Sequence, residues 1–250
     1  MAAGMARGWA AARDQDGAGP DLMLFSDSGS GRAAILAEEV GGEAVTANED
    51  LVSRSDVVVL AMKPAGLAGA AASAKGAGTI ISVLGATPVD NLTEHFPDSH
   101  VFRLMPNLGV QFRRGVLCIS LEDSIPPETV SGVRDLLGTL GRVVEMPDEQ
   151  MDGATAVMGC SPAYFAMVAG AIADAGAADG LDHALSLSMV IESMAGTAEL
   201  LTSYSPSELR TAVASPGGST EVGLSTLEEH EVPAAFEAAV EASLKRMRGD

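Results

Sequence analysis

The chain is 250 residues long, 47% apolar but only 4% aromatic, and its 34 acidic against 15 basic side chains give a formal net charge of −19. That balance argues against nucleic acid or an anionic membrane as a partner, since both require a basic face. Two cysteines, Cys118 and Cys160, cannot build a disulfide framework, the four histidines are too scattered for a metal site, and the length suits one large or two modest domains.

In chain order, residues 1–12 read as a helix already under way, with no strand before it. Arg7, Arg13, Asp14 and Asp16 among the first twenty residues do not make a signal peptide, and a cytoplasmic location is expected. Residues 21–26 are a short apolar strand that opens onto Asp27-Ser28-Gly29-Ser30-Gly31. A helix over 32–40, a short strand near 43–46 and a helix near 49–53 follow. The clearest strand is 56–62, a β-branched run of the kind covered on both faces in a parallel sheet, ending in Lys63-Pro64. An alanine-rich helix (65–74), a strand (79–83), a helix after Pro88, strands at 100–104 and 115–121, a helix over 127–140 and a strand at 142–146 complete the alternation. Strands alternating with helices at this spacing predict a doubly wound α/β sheet with right-handed crossovers.

After Pro147 the strand signals stop. Helices are expected over 148–158, 162–178, 181–202 and 207–214 and from Thr220 onward, the last piece starting at Pro233. The boundary therefore falls near 147, with an α/β domain over 1–147 and an all-helical domain over 148–250. Residues 153–173 carry no charge over 21 positions, enough to span a bilayer. Pro162, Tyr164 and the small residues among them favour a helix buried at a subunit or domain interface, with no membrane partner. Apolar helices this long exceed what so small a domain can bury, which predicts a shared helical core in a homodimer or higher homo-oligomer.

Chemistry in an open parallel sheet sits beyond the carboxyl ends of the strands. Ser26 follows one such end and can donate to a ribose or its phosphate, with Asp27 beside it. Lys63, one of three lysines, follows another and can meet a phosphate, a ribose or a carboxylate. Arg103 and Asn107 mark a third, where a structural and a functional role remain equally open. In the helical half, Ser215-Pro216-Gly217-Gly218-Ser219-Thr220 is a small-residue turn between two helices. The N–H groups opening the second helix, with the positive end of its dipole behind them, make a seat for a carboxylate or phosphate. No Gly-x-Gly-x-x-Gly follows a first strand, and no Ser/His/Asp set or metal cluster stands out. Hydride transfer remains, in which the cofactor carries the chemistry and the protein orients it.

Taken together, these residues resemble the pyrroline-5-carboxylate reductase family over nearly the whole chain. The motifs are 56–64 with its Ala-x-Lys-Pro strand end, 82–92, Arg103 to Asn107 with Gly115, 159–164 ending Ser-Pro-Ala-Tyr, and Ser205-Pro206 followed by 215–220. The resemblance implies a Rossmann-type domain binding NADPH or NADH, an all-α dimerisation domain, and reduction of a small cyclic imine carboxylate to proline. It implies cofactor contacts at Ser26, Asn48, Ala61, Met62, Lys63, Pro64, Val83, Leu84 and Gly85. Substrate contacts are implied at Gly85, Ser215, Gly217, Gly218, Ser219 and Thr220, with the amides of Gly218, Ser219 and Thr220 holding the carboxylate. Thr220 and Lys63 are the implied catalytic residues, Thr220 or a bound water managing the proton at the imine nitrogen.

The sequence departs from the family at several points. The family's Gly-x-Gly-x-Met-Ala loop aligns with this chain only from Met5-Ala6 onward, so the first strand and the phosphate-cradling glycines are expected to be missing. Gly85-Ala86 reverses an Ala-Gly order, Leu108-Gly109 replaces Thr-Pro, Met158 and Cys160 replace serines, and Arg210-Thr211-Ala212 replaces a Lys-Asp-rich stretch. These changes leave two alternatives: a non-catalytic dimeric paralogue, or a reductase of a related imine. A hydroxy-acid reductase of similar architecture would want a lysine or histidine within 148–178, where there is none.

Overall fold

A computed structural model describes residues 1–249. The chain divides into two compact units, Met1–Gly159 joined by the residues from Leu244 onward, and Cys160–Ser243. In the first unit α1 (Ala2–Asp16) precedes β1 (Leu24–Phe25), α2 (Arg32–Val40), β2 (Glu43–Ala44), α3 (Asn48–Ser53) and β3 (Val57–Leu60). Then come a 3-10 turn at Pro64–Gly66, α4 (Leu67–Ser73), β4 (Thr79–Ser82), α5 (Val89–His95) and β5 (His100–Pro106). After a 3-10 turn at Leu108–Phe112 follow β6 (Gly115–Leu121), α6 (Pro127–Gly138) and β7 (Gly141–Glu145).

The alternation folds as expected into a sheet clad with helices, but the sheet is in two pieces. β1 pairs in parallel with β2 alone, while β3-β4-β5-β6-β7 form a separate five-stranded sheet in which β3 hydrogen-bonds only to β4. Both open edges border the same core: Met23 of the β1 approach and Ile81, Phe102, Leu104, Leu117 and Ile119 of the larger sheet cluster beneath Met5 and Trp9 of α1, with Phe25, Val57 and Val59 packed against them. Trp9 Nε1 donates to Leu136 O at 3.1 Å, tying α1 to α6. One direction departs from the expectation: β6 runs antiparallel to β5. The link from Asn107 to Arg114 is too short for the dozen or more residues that a parallel crossover needs.

The opposite face of the sheet carries Val58, Leu60, Ile80 and Val101 under α3, α4 and α5. Further along it, Met105 and Cys118 lie beneath Met151 and Met158, and burial pushes the Cys118 thiol pKa up. Where β6 and β7 begin, Gly115 and Gly141 are register partners, and their backbones are so close that a Cβ on Gly141 would sit 2.1 Å from Gly115 O. Gly141 also has φ 146°, where side chains are strained.

The helix expected over 148–158 is broken into a 3-10 turn (Asp148–Gln150), α7 (Met151–Ala154) and a π-helical turn (Thr155–Gly159). Two side chains take backbone carbonyls there: Asn107 Nδ2 donates to Met158 O at 3.2 Å, and Thr155 Oγ1 to Met151 O at 2.7 Å.

The second unit is helical: α8 (Ser161–Ala178), α9 (His183–Leu200), α10 (Pro206–Val213), α11 (Ser219–Glu229) and most of α12 (Val232–Arg248). Ser186 Oγ, buried, donates to Ala173 O at 3.1 Å between α8 and α9. Tyr164 places its ring 6.5 Å from Phe236 and its hydroxyl 3.0 Å from Ser243 Oγ, joining α8 to α12. Ser205 and Glu208 form a capping box at the start of α10. The helix expected over 153–173 to be buried at a subunit or domain interface is largely uncovered within one chain. Asp148–Ala178 is long and apolar enough to cross a membrane by length and composition, yet only 17% of its apolar 18-residue stretch is buried within the chain, and Phe165, Met167 and Ile172 are exposed. The same holds for Leu185, Met189 and Ile191 on α9. So many exposed apolar side chains on two adjacent helices exceed what an isolated surface tolerates.

Candidate functional site

In the first unit the expected cofactor residues gather at the carboxyl ends of parallel strands: Ser26 after β1, Asn48 after β2, Ala61 to Pro64 after β3, and Val83 to Gly85 after β4. Ser26 and Asn48 are joined directly. Ser26 Oγ donates to Asn48 Oδ1 at 2.8 Å, and Asn48 Nδ2 donates to Ser73 Oγ at 2.8 Å. Ser73 escaped the sequence reading because a serine ending an alanine-rich helix carries no signal of its own. Lys63 is exposed and its ammonium has no partner among the described residues. Leu84 is buried, whereas Gly85 is exposed and a Cβ there would meet nothing within 4 Å. Ala86 has φ 51°, so the reversed Gly85-Ala86 order puts an alanine in the left-handed conformation that a glycine adopts without strain.

Asp27 resolves differently from its neighbour Ser26. Its carboxylate accepts from the N–H groups of Ala33 (2.7 Å), Gly29 (2.7 Å) and Ser30 (2.8 Å), filling the amino end of α2, and these bonds, Ala33's foremost, lower its pKa to about 2. A depressed carboxylate pKa stabilises the fold above the unfolded value near 4, and that contribution disappears as pH falls through about 2. Asp27→Asn is therefore expected to be less stable than the parent at neutral pH, with the gap closing below pH 4. Denaturant midpoints of both chains across that range check this, and a gap constant with pH would contradict it.

Arg103 and Asn107 are both engaged within the first unit. The Arg103 side chain is only 4% exposed and bridges Asp148 (3.1 Å) and Asp152 (3.2 Å). Asn107 Oδ1 accepts from Gly109 N and Val116 N, both at 3.2 Å.

In the second unit Ser215 to Gly218 form the turn between α10 and α11. Gly217 has φ 72°, and Gly218 caps α11, where an added Cβ would lie 2.9 Å from Ser215 O. The geometry corrects one assignment. The Gly218 N–H already donates to Ser215 O at 2.9 Å, and Gly217 N donates to the Glu221 carboxylate at 2.7 Å. The N–H groups at the amino end of α11, those of Ser219 and Thr220, have no acceptor among the described residues, nor do their hydroxyls. They face the open side of the turn at the positive end of the helix dipole. Arg210, one of the departures from the family pattern, pairs with Glu228 and links α10 to α11 behind the turn. Ser215 is exposed beside it.

Comparison with known proteins fits both halves. Residues 148–249 match the model of the pyrroline-5-carboxylate reductase dimerisation domain, and residues 1–85 match that of the F420-dependent NADP oxidoreductases. The chain is 32% identical to pyrroline-5-carboxylate reductase of Synechocystis, covering 91% of this chain and 87% of that protein. It is 37% identical to the Thermus thermophilus enzyme over 66% of this chain and 64% of that one. Among solved structures, 1-pyrroline-5-carboxylate reductase of Streptococcus pyogenes superposes with TM-score 0.86 at 26% identity, covering 99% of this chain and 95% of that one. The Plasmodium falciparum pyrroline carboxylate reductase with NADP bound shares the fold, with TM-score 0.86 at 24% identity over 98% and 92% of the two chains. The chain belongs to the pyrroline-5-carboxylate reductase family.

Proposed function

We propose that the chain reduces 1-pyrroline-5-carboxylate to L-proline with NADPH or NADH, in proline biosynthesis, and works as a homodimer. The observation that carries this is the pair of unsatisfied N–H groups of Ser219 and Thr220 at a dipole's positive end, in a chain 32% identical to a reductase of this name. The strand-end residues suit a dinucleotide: the Ser26–Asn48–Ser73 relay offers hydroxyl and amide groups to a ribose, and the unpaired Lys63 offers a cation to a phosphate. Ala61, Met62, Pro64, Val83, Leu84 and Gly85 supply the backbone and apolar surface at the same strand ends. When bound, the nicotinamide supplies the hydride.

The N–H groups of Ser219 and Thr220 hold the substrate carboxylate, while Ser215, Gly217 and Gly218 keep the turn in shape for it. Thr220 Oγ1 serves the proton at the imine nitrogen, and Lys63 has its catalytic part in fixing the cofactor. A protonated imine is already electrophilic, which suits a site without a strong general acid. We place the functional boundary between 147 and 148, supported by the start of the dimerisation match at 148, although the compact units divide after Gly159. The exposed apolar faces of α8 and α9 suit a second copy of the chain. The two free cysteines suit the reducing cytoplasm.

Loss of NADPH absorbance on adding pyrroline-5-carboxylate, with proline formed in equal amount, is the expected result. No proline with either NADPH or NADH, together with no binding of either nucleotide, would overturn the reading.

A further inference from the structure

Arg103 stands out as the buried charge on a largely apolar sheet face. It pairs in register with Ser82 on β4 and Ser120 on β6, giving a buried polar row across three strands. The row lies at the level where β4 ends, immediately before Val83. It separates two apolar clusters: the one under α3, α4 and α5, and the one under Met151 and Met158. The guanidinium spans the seam between them. One of its carboxylates, Asp148, reaches the far side, where its other oxygen accepts from Val89 N at 3.4 Å in the first turn of α5. Asp152 makes a similar bond to Arg103 and, among the described residues, none to α5.

As a stabiliser this arrangement is poor. Arg103 Nε is buried without a partner, and with Asp148 and Asp152 28% and 29% exposed the guanidinium bears most of the desolvation cost. What it provides is position. We propose that Arg103 is a positioning residue which, by holding Asp148 against the start of α5, sets the segment 83–88 that delivers the cofactor contacts Val83, Leu84 and Gly85. Segment 83–88 is pinned at one end by β4 and at the other by this bond to Val89. Thr87 Oγ1 adds a bond to Gly85 O at 3.1 Å within it, and the strained Ala86 depends on both ends being fixed. The inference rests on the assignment of 83–85 to the cofactor made above.

The test compares Asp148→Ala with Asp152→Ala in the full chain. Each leaves Arg103 one carboxylate, so their unfolding midpoints should fall alike. Only D148A removes the bond to Val89, and its KM for NADPH should rise about fivefold with kcat little changed, while D152A stays within about twofold of the parent. Equal KM values for the two variants, raised or not, would reduce Arg103 to a structural role. Gly85→Val, which adds a side chain into open space, serves as the control on the cofactor assignment. If G85V raises KM for NADPH and D148A does not, the positioning role alone falls. If G85V leaves KM unchanged, the cofactor assignment of 83–85 fails and the inference falls with it.

Discussion

Gly218→Ala is expected to lower kcat/KM for pyrroline-5-carboxylate about a hundredfold while leaving the unfolding midpoint unchanged, because misplacing a bound reactant by about 1 Å costs that much. The new Cβ would sit 2.9 Å from Ser215 O, a backbone atom that cannot step aside without opening the turn. The Gly218 N–H bond to that same oxygen holds the turn closed, so the shift carries the amides of Ser219 and Thr220 with it. Stability should be spared because the turn is exposed and α10 keeps its own capping box. Steady-state kinetics beside a thermal melt decide the matter. A kcat/KM within about threefold of the parent would mean that the amino end of α11 does not hold the substrate carboxylate.

Gly141→Ala should have the largest effect on stability, roughly 3 kcal/mol or more, from a left-handed-side φ forced on a side chain and from overpacking against backbone. The Cβ would lie 2.1 Å from Gly115 O and 2.5 Å from Gly115 N, so β6 and β7 could not keep their register at that end. An unfolding midpoint roughly 10 °C lower is expected for the α/β unit. Gly132→Ala, on α6 with nothing within 4 Å of its added Cβ, is the matched control and should be neutral or slightly stabilising. Equal midpoints for the two variants would show that the close approach of the two glycines carries no energetic weight.

Much of this architecture was legible because it is local. The bounds of α2 and β6 follow from hydrophobic periodicity closed by glycine or proline, and the polar breaks at Asp27 to Gly31 and at Lys63-Pro64 mark strand ends without tertiary information. The sheet-over-helices fold and the turn at 215–220 were read the same way. What escaped depends on partners far away in sequence. The π-helical turn at Thr155–Gly159 carries a bond from Asn107, 51 residues upstream, to the Met158 carbonyl. Arg103 could be given a role only once Asp148 and Asp152 were seen against it. The Gly218 amide looked available because a run of small residues does not disclose which of its N–H groups the turn itself consumes. Asp27 read as an ambiguous neighbour of the cofactor until its carboxylate was found holding the amino end of α2.

The divided sheet has a practical consequence for the protein in solution. β1 and β3 each present one unpaired edge, and Val57–Leu60 is an uninterrupted β-branched and aliphatic stretch. Such edges recruit any extended strand that reaches them, including the same edge of another molecule. Against this stands the net charge of −19, whose repulsion keeps molecules apart at low ionic strength and is screened beyond about 10 Å in 0.1 M salt. Colloidal behaviour is thus a contest between backbone hydrogen bonds seeking partners and a charge that salt switches off. Light scattering is therefore expected to stay low in dilute, low-salt solution and to rise with concentration and salt.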